Sequence, residues 1–261
     1  MTLLFLFAML TGGEQLIIRH IANEGVILEH GETRVMIDGL FREDFDDYYF
    51  SLTGKNLEDL ENARGPFANI DLLLTTHKHA DHFRPQSVGD YLRAEPKTLF
   101  LGTPQTVADL KSMLSDFDDL KARISAVSLP WYGQEARTLA GVHVRALAMK
   151  HGPNRSKVAI QNHSWVVTIG GKNILHLGDA YTDTANYEPF DWEALDIDVA
   201  LVPFWFFMSK NGTRMVRDVI KPDHIIAIHV ERKSVAEFKE EMKKIWPEMI
   251  VFQDFLQEAR F

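Results

Sequence analysis

Cysteine is absent from the 261 residues of this chain, and that absence removes several chemistries. Disulfides, thiolate zinc sites, iron–sulfur clusters and cysteine nucleophiles are all excluded, which leaves histidine, aspartate and glutamate as the strong metal ligands. A bilayer-spanning run is missing too: the N-terminal MTLLFLFAML is apolar over ten residues, about half of the ~20 needed. No stable membrane insertion is expected. That stretch also lacks the positive start of an export signal. Residues 1–14 therefore read either as a signal remnant or as an extra N-terminal segment, with cytoplasmic and exported locations equally open. Positive charge is in deficit, with 28 Lys and Arg against 37 Asp and Glu and a net charge of -9. The basic residues are scattered rather than gathered into a stripe, so no nucleic-acid partner is expected and a small-molecule substrate is. No Pro/Gly/Ser-rich linker, low-complexity tract or short repeat divides the chain. At 46% hydrophobic content it can bury a sizeable core, and residues 1–261 are read as a single domain.

What is present is a series of short strand-like runs. QLIIRHI, GVILEH and TRVMID, joined by tight polar turns at Asn23-Glu24-Gly25 and His30-Gly31-Glu32, predict an antiparallel meander. NIDLLLTT is continuously apolar from Ile70, as suits a strand covered on both faces. KTLFLG leads to TPQTVADLKSML, where Thr103 can cap a helix that opens on Pro104. RISAVSL, GVHVRALAM, SWVVTIGG and NILHLGD add strands, with GGKN as a hairpin turn. Further on, DIDVALVPF, RMVRDVIKP, HIIAIHV and SVAEFKEEMKKIW alternate strand and helix. The order, repeated in two halves, predicts an α/β fold with two sheets faced by helices on the outside.

The stretch THKHADHFR, Thr76 to Arg84, places three histidines and an aspartate within six residues. In a chain with 11 His such a pattern arises by accident about once per thousand sequences, so a polar loop is the weaker reading. If the segment is extended, His77, His79 and Asp81 share one side while Lys78 and Ala80 turn away. The cluster sits where a strand ends and a helix begins, a common place for ligands. Three more polar residues end strands in the same manner: His151 after RALAMK, Asp179 after ILHLG and His229 after HIIAI. Singly, each would be an ordinary hydrogen-bonded core residue. Together with the cluster they supply seven ligands where one ion needs about four, which points to two metal ions.

THKHADH followed by KHG, LGD and AIH at these intervals resembles the metallo-β-lactamase superfamily of metallohydrolases, from about Leu16 to the C-terminus. The resemblance implies a four-layer αββα sandwich. It implies that His77, His79 and His151 hold one ion, that Asp81, His82 and His229 hold the other, and that Asp179 bridges them, with Asp81 and Asp179 as the catalytic carboxylates. Two divalent ions are implied, zinc first, with manganese or iron as alternatives. NILHLGD and the lack of an inserted nucleic-acid-clamping domain most resemble the lactonase-like and phosphodiesterase-like branch.

The expected activity is hydrolysis of a small ester, lactone or phosphodiester by a metal-activated hydroxide. The alternatives are a nuclease of the same fold, a di-iron redox protein and a non-catalytic metal-binding protein. The di-iron class commonly carries a carboxylate where His79 stands. In PFWFFMSKNG, the aromatics Trp205, Phe206 and Phe207 follow a strand end and are candidates for the substrate-pocket wall. Lys150, Asn154 and Arg155 flank His151 and are read as solvated surface. His176, three residues before Asp179, is read as a core histidine or as support for a ligand. His20, His30, His143, His163 and His224 carry no assigned role.

Overall fold

The computed structural model describes residues 14–42, 48–152, 159–252 and 254–261. The N-terminal segment up to residue 13, together with Asn154 and Arg155, lies outside the described residues. The first sheet has seven strands: β1 (Ile17–Ala22), β2 (Gly25–His30), β3 (Thr33–Ile37), β4 (Leu72–Leu74), β5 (Leu99–Gly102), β6 (Ile124–Ala126) and, at its other edge, the last strand of the chain. The second sheet runs through β7 (Gln134–Leu139), β8 (Val142–Lys150), β9 (Gln161–Ile169), β10 (Lys172–His176), β11 (Val199–Pro203), β12 (His224–Ile228) and β13 (Ile250–Val251). The last strand is β14 (Glu258–Arg260). Spatial order is β14-β1-β2-β3-β4-β5-β6 in one sheet and β13-β12-β11-β10-β9-β8-β7 in the other. Each sheet is antiparallel through its meander and parallel where helices intervene between strands.

The apolar runs explain the layering. In β4, Leu72 and Leu74 point into the core between the two sheets, where they join Val26, Val35, Trp165, Val167, Leu201 and Ile226. Leu73 points the other way, into a second core with Met36, Phe100, Val88, Tyr91 and Leu110. Period-two alternation with both faces covered leaves no polar position in such a strand. The outer face of the second sheet is closed in the same way: Leu175, Ala200 and Val202 meet Phe206, Val216, Ile220, Phe238 and Met242. The result is helix, sheet, sheet, helix, the predicted αββα sandwich.

Local expectations hold where turn chemistry is explicit. Thr103 accepts a hydrogen bond from the Thr106 amide at 3.2 Å and caps the helix Pro104–Met113. Gly170 and Gly171, at φ 60° and 75°, turn β9 into β10 as a two-residue hairpin loop that needs positive φ at both positions. The helix expected at RMVRDVIKP exists, but it widens from α-helical Lys210–Arg214 to a π-helical turn over Met215–Ile220. Among the described residues no helix is long and apolar enough to cross a membrane.

Candidate metal centre

The polar residues named from the sequence converge because strand ends converge. β3, β4, β8, β10 and β12 deliver Asp38, the loop His77–His82, His151, Asp179 and His229 to one edge of the sandwich. The loop is not extended throughout, contrary to the period-two expectation. The amides of His82 and Phe83 both donate to the His79 carbonyl, at 3.1 and 2.9 Å, and this turn separates Asp81 and His82 from His77 and His79. One tight turn thus serves two clusters.

The first cluster is His77, His79, His151 and Asp179. His77 Nε2 lies 3.0 Å from His79 Nδ1 and 3.3 Å from His151 Nε2. Asp179 Oδ2 is 3.1 Å from His151 Nε2 and 3.7 Å from His77 Nε2. Ligands around a tetrahedral ion with bonds of 2.0–2.1 Å sit roughly 3.3 Å apart, so these donors already have the spacing of a coordination shell. The second cluster forms around the other carboxylate oxygen. Asp179 Oδ1 is 3.3 Å from His82 Nε2 and 3.6 Å from His229 Nε2. Asp81 Oδ2 is 3.2 Å from His229 Nε2 and 3.7 Å from His82 Nε2. Asp179 thus offers one oxygen to each cluster.

Several of these atoms are buried and make no hydrogen bond among the described residues: His82 Nε2, Asp179 Oδ1 and both ring nitrogens of His229. Buried polar atoms without partners are costly, and lone pairs aimed at a common point fit a cation there. The residues present therefore fit a bound metal cation, as the sequence resemblance implies.

The remaining hydrogen bonds set the tautomers. His82 Nδ1 donates to Asp38 Oδ2 at 2.8 Å, which leaves Nε2 as a free lone pair. Thr76 Oγ1 donates to the same carboxylate oxygen at 2.5 Å and stands 3.0 Å from His77 Nδ1, so that ring donates from Nδ1 and presents Nε2. The Thr76 amide holds Asp38 Oδ1 at 2.8 Å. One buried aspartate therefore orients a ligand in each cluster. His151 Nδ1 donates to the Gly152 carbonyl at 3.2 Å. Asp179 is held by its amide on Asn162 Oδ1 at 3.0 Å. Gly178 before it, at φ 53°, could carry no side chain, since a Cβ would stand 2.7 Å from Asn162 Oδ1 and from Thr76 Cβ. Asp38 and His229 also adopt positive φ, 49° and 59°, so backbone strain gathers at the site.

Electrostatics favour the ligating protonation states of most members. Burial pushes the His77 imidazole well below its usual range, and neighbouring His82 pushes the same way. Burial and His151 lower His79. Burial would raise Asp179, but His82, His229 and His77 outweigh it and hold that carboxylate well below its usual range. Asp81, against the same burial, is brought down to about 2 by His82 and His229. His82 is the exception. Burial would lower it, yet Asp179 and Asp81 outweigh burial and raise it well above the imidazole range.

The structure places other expected residues less uniformly. Trp205 lies at the centre, its ring 5.1 Å from that of His229 and edge-on. Phe206 and Phe207 are 0% and 8% exposed and pack into the outer core of the second sheet. Of the three aromatics expected to form a wall, only Trp205 therefore lies against the donor cluster, because the 3-10 turn Phe204–Phe206 cannot point successive side chains the same way. Lys150 is exposed and, with Trp131 and Ile160, lines a pocket beside His151. His176 is a fully buried core histidine that ties the two sheets together. Its Nδ1 accepts from the Gly178 amide at 3.1 Å, so Nε2 donates to the Glu24 carbonyl at 3.0 Å.

Sequence reasoning missed Asp38, Glu24 and Tyr49. Asp38 ends an apolar strand as Asp179 does, and the same strand-end rule would have found it. Glu24 sits in a stretch read only as a tight polar turn, and it is 0% exposed. Tyr49 packs edge-on against His229 at 4.4 Å, and burial together with Asp81 raises its phenol above the usual range. No pattern marks it in the sequence.

A sequence model of the β-lactamase superfamily domain matches residues 33–240 of this chain. Over 183 residues the chain is 26% identical to a metal-dependent hydrolase of Pyrococcus abyssi, covering 69% of this chain and 75% of that protein. Igni18, a metallo hydrolase from the archaeon Ignicoccus hospitalis, superposes with a TM-score of 0.63 at 17% identity, covering 95% of this chain and 98% of that one. CmlA, a diiron β-hydroxylase from Streptomyces venezuelae, superposes with a TM-score of 0.56 at 14% identity, covering 96% of this chain and 54% of its own. At such identities the two structural likenesses speak to the fold.

Proposed function

This chain belongs to the β-lactamase superfamily, and from that premise we propose that it is a metal-dependent hydrolase with a dinuclear centre, acting on a small ester, lactone or phosphodiester. The observation that carries the reading is the division of Asp179 between two donor clusters, Oδ2 toward His151 at 3.1 Å and Oδ1 toward His82 at 3.3 Å. His77, His79 and His151 would hold one ion, Asp81, His82 and His229 the other, and Asp179 would bridge them. Three nitrogens and one oxygen suit zinc in the first position. When bound, the ions supply Lewis acidity toward a carbonyl or phosphoryl oxygen and bring the pKa of water from 15.7 toward about 7.

The protein's own part is orientation and selection. Asp38 and Thr76 keep His82 and His77 in the tautomers that present Nε2. Asp179 and Asp81, ionised by their surroundings, set where positive charge can rest. Tyr49 and Trp205 flank His229 and offer an apolar surface to the substrate, while the net charge of -9 without a basic stripe disfavours polyanions. The fold likeness to a diiron hydroxylase makes iron the competing metal. Its chemistry would show as oxygen consumption.

The test is metal analysis of purified protein combined with a panel of lactones, phosphodiesters, thioesters and β-lactams on zinc- and manganese-loaded samples. About two metals per chain and hydrolysis of one class are expected. Full activity without metal, or iron with oxygen consumption, overturns the reading. Trp205→Ala should cost about 1–3 kcal/mol in kcat/KM for substrates with an apolar moiety and much less for a minimal substrate. Equal losses on both would make Trp205 a structural residue.

A further inference from the structure

The turn between β1 and β2 carries a carboxylate that the seven-ligand arrangement does not use. Glu24 is 0% exposed, and neither of its carboxylate oxygens makes a hydrogen bond among the described residues. Its Oε2 is 3.6 Å from His82 Nδ1. One of its oxygens also lies within 4.8 Å of ligand atoms of His82, Asp179 and His229. It is held there from both sides. Its carbonyl accepts from His176 Nε2 at 3.0 Å, and the Gly25 backbone that follows is packed so closely that a Cβ would stand 2.9 Å from the Asp38 carbonyl.

Burying a carboxylate without partners is costly unless a charge compensates it. The groups around Glu24 are themselves carboxylates, Asp179, Asp38 and Asp81, with His82 as the one positive neighbour. His82 already donates from Nδ1 to Asp38 at 2.8 Å. Four acids packed beside one imidazole leave an excess of negative charge, and a divalent ion between His82, Asp179 and His229 is the compensation within reach.

We propose that Glu24 is an additional ligand of the second ion, so that this position is built from two imidazoles and the carboxylates of Asp81, Asp179 and Glu24. The inference rests on the dinuclear reading above. Its consequence is selectivity. Carboxylate oxygens suit manganese and comparably hard ions, whereas the imidazole-rich first position suits zinc. The two positions then differ in the metal they prefer, and the centre loads as a mixed pair.

Metal-stripped wild type and Glu24→Gln are titrated with Mn(II), bound and free ion being separated by electron paramagnetic resonance, and dialysed against Zn(II) with the metal content counted. Wild type should take up two ions. Glu24→Gln should bind the second Mn(II) about 10–100-fold more weakly, the loss typical of a missing metal contact, and keep its first Zn(II). A folded Glu24→Gln that binds both ions as wild type does overturns the proposal and leaves the dinuclear centre standing. Wild type that binds fewer than two ions removes both. Should the variant not fold, a crystal structure of Mn(II)-loaded wild type decides: a Glu24 oxygen at about 2.0–2.2 Å from the ion supports the proposal, and one beyond bonding distance overturns it.

Discussion

The two donor clusters share Asp179 and differ in almost everything else. The first, His77, His79 and His151, is nitrogen-rich and partly open, with His79 and His151 reachable from solvent. The second, His82, His229 and Asp81, is mostly enclosed, and Glu24 and Asp38 crowd its far side. In the open cluster burial and like-charge neighbours hold His77 and His79 below the usual imidazole range, which suits ligation. In the enclosed one Asp179 and Asp81 push His82 the other way, above that range. The enclosed cluster gathers more carboxylates, and without a counter-charge their negative charge stays buried at a cost that the open cluster does not carry.

Removing the shared residue abolishes the contrast. Asp179→Ala should lose both ions and reduce turnover by about a hundredfold or more, with a circular dichroism spectrum like that of wild type. Retention of two ions at wild-type rates would refute the bridge. Removing one private ligand from each side sharpens the contrast instead. His151→Ala and His229→Ala should each retain about one metal by elemental analysis, the first variant keeping the oxygen-rich position and the second the nitrogen-rich one. Loss of both metals in each would show a single cooperative site. Asp38→Asn comes next in size. Asp38 holds His82 directly and His77 only through Thr76, so the second ion should weaken by about tenfold or more and the first by less. Equal weakening at both positions would put Thr76 on the same footing as the carboxylate.

The smallest effect is on stability and depends on pH. Burial, the largest cause, raises Glu24 well above its ordinary value of 4.5. The folded, metal-free chain therefore keeps that proton while the unfolded chain releases it, and stability falls as pH rises above about 4.5. Glu24→Gln removes this dependence. In the metal-free state its melting temperature should gain on wild type as pH goes from 5 to 8, the reverse of its weaker metal binding. A difference that is flat or shrinks with pH would mean that Glu24 is ionised in the metal-free fold.

Much of the fold was legible because strand and turn signals are local. Leu72 to Leu74 announce a doubly covered strand, Thr103-Pro104 a helix start, and Gly170-Gly171 a hairpin. The three-residue β14, which pairs with β1, was not legible, since so short a strand exists only by lying beside a partner far away in sequence. The cluster His77 to His82 was visible for the same local reason. His151, Asp179 and His229 gained meaning only in company with it. Phe206 and Phe207 were misread because an aromatic run does not say which ring faces the core.

The sequence by itself determined which side chains are available to bind metal, since a chain without cysteine must use histidine and carboxylates, and it placed each beside a strand end through the apolar run that precedes it. Tertiary structure decided how those ligands divide. Only when two sheets bring their strand ends to one edge does the turn at His79 send His77 and Asp81 to different clusters. The same packing carries Glu24, which the sequence marks only as part of a polar turn, into the protein interior.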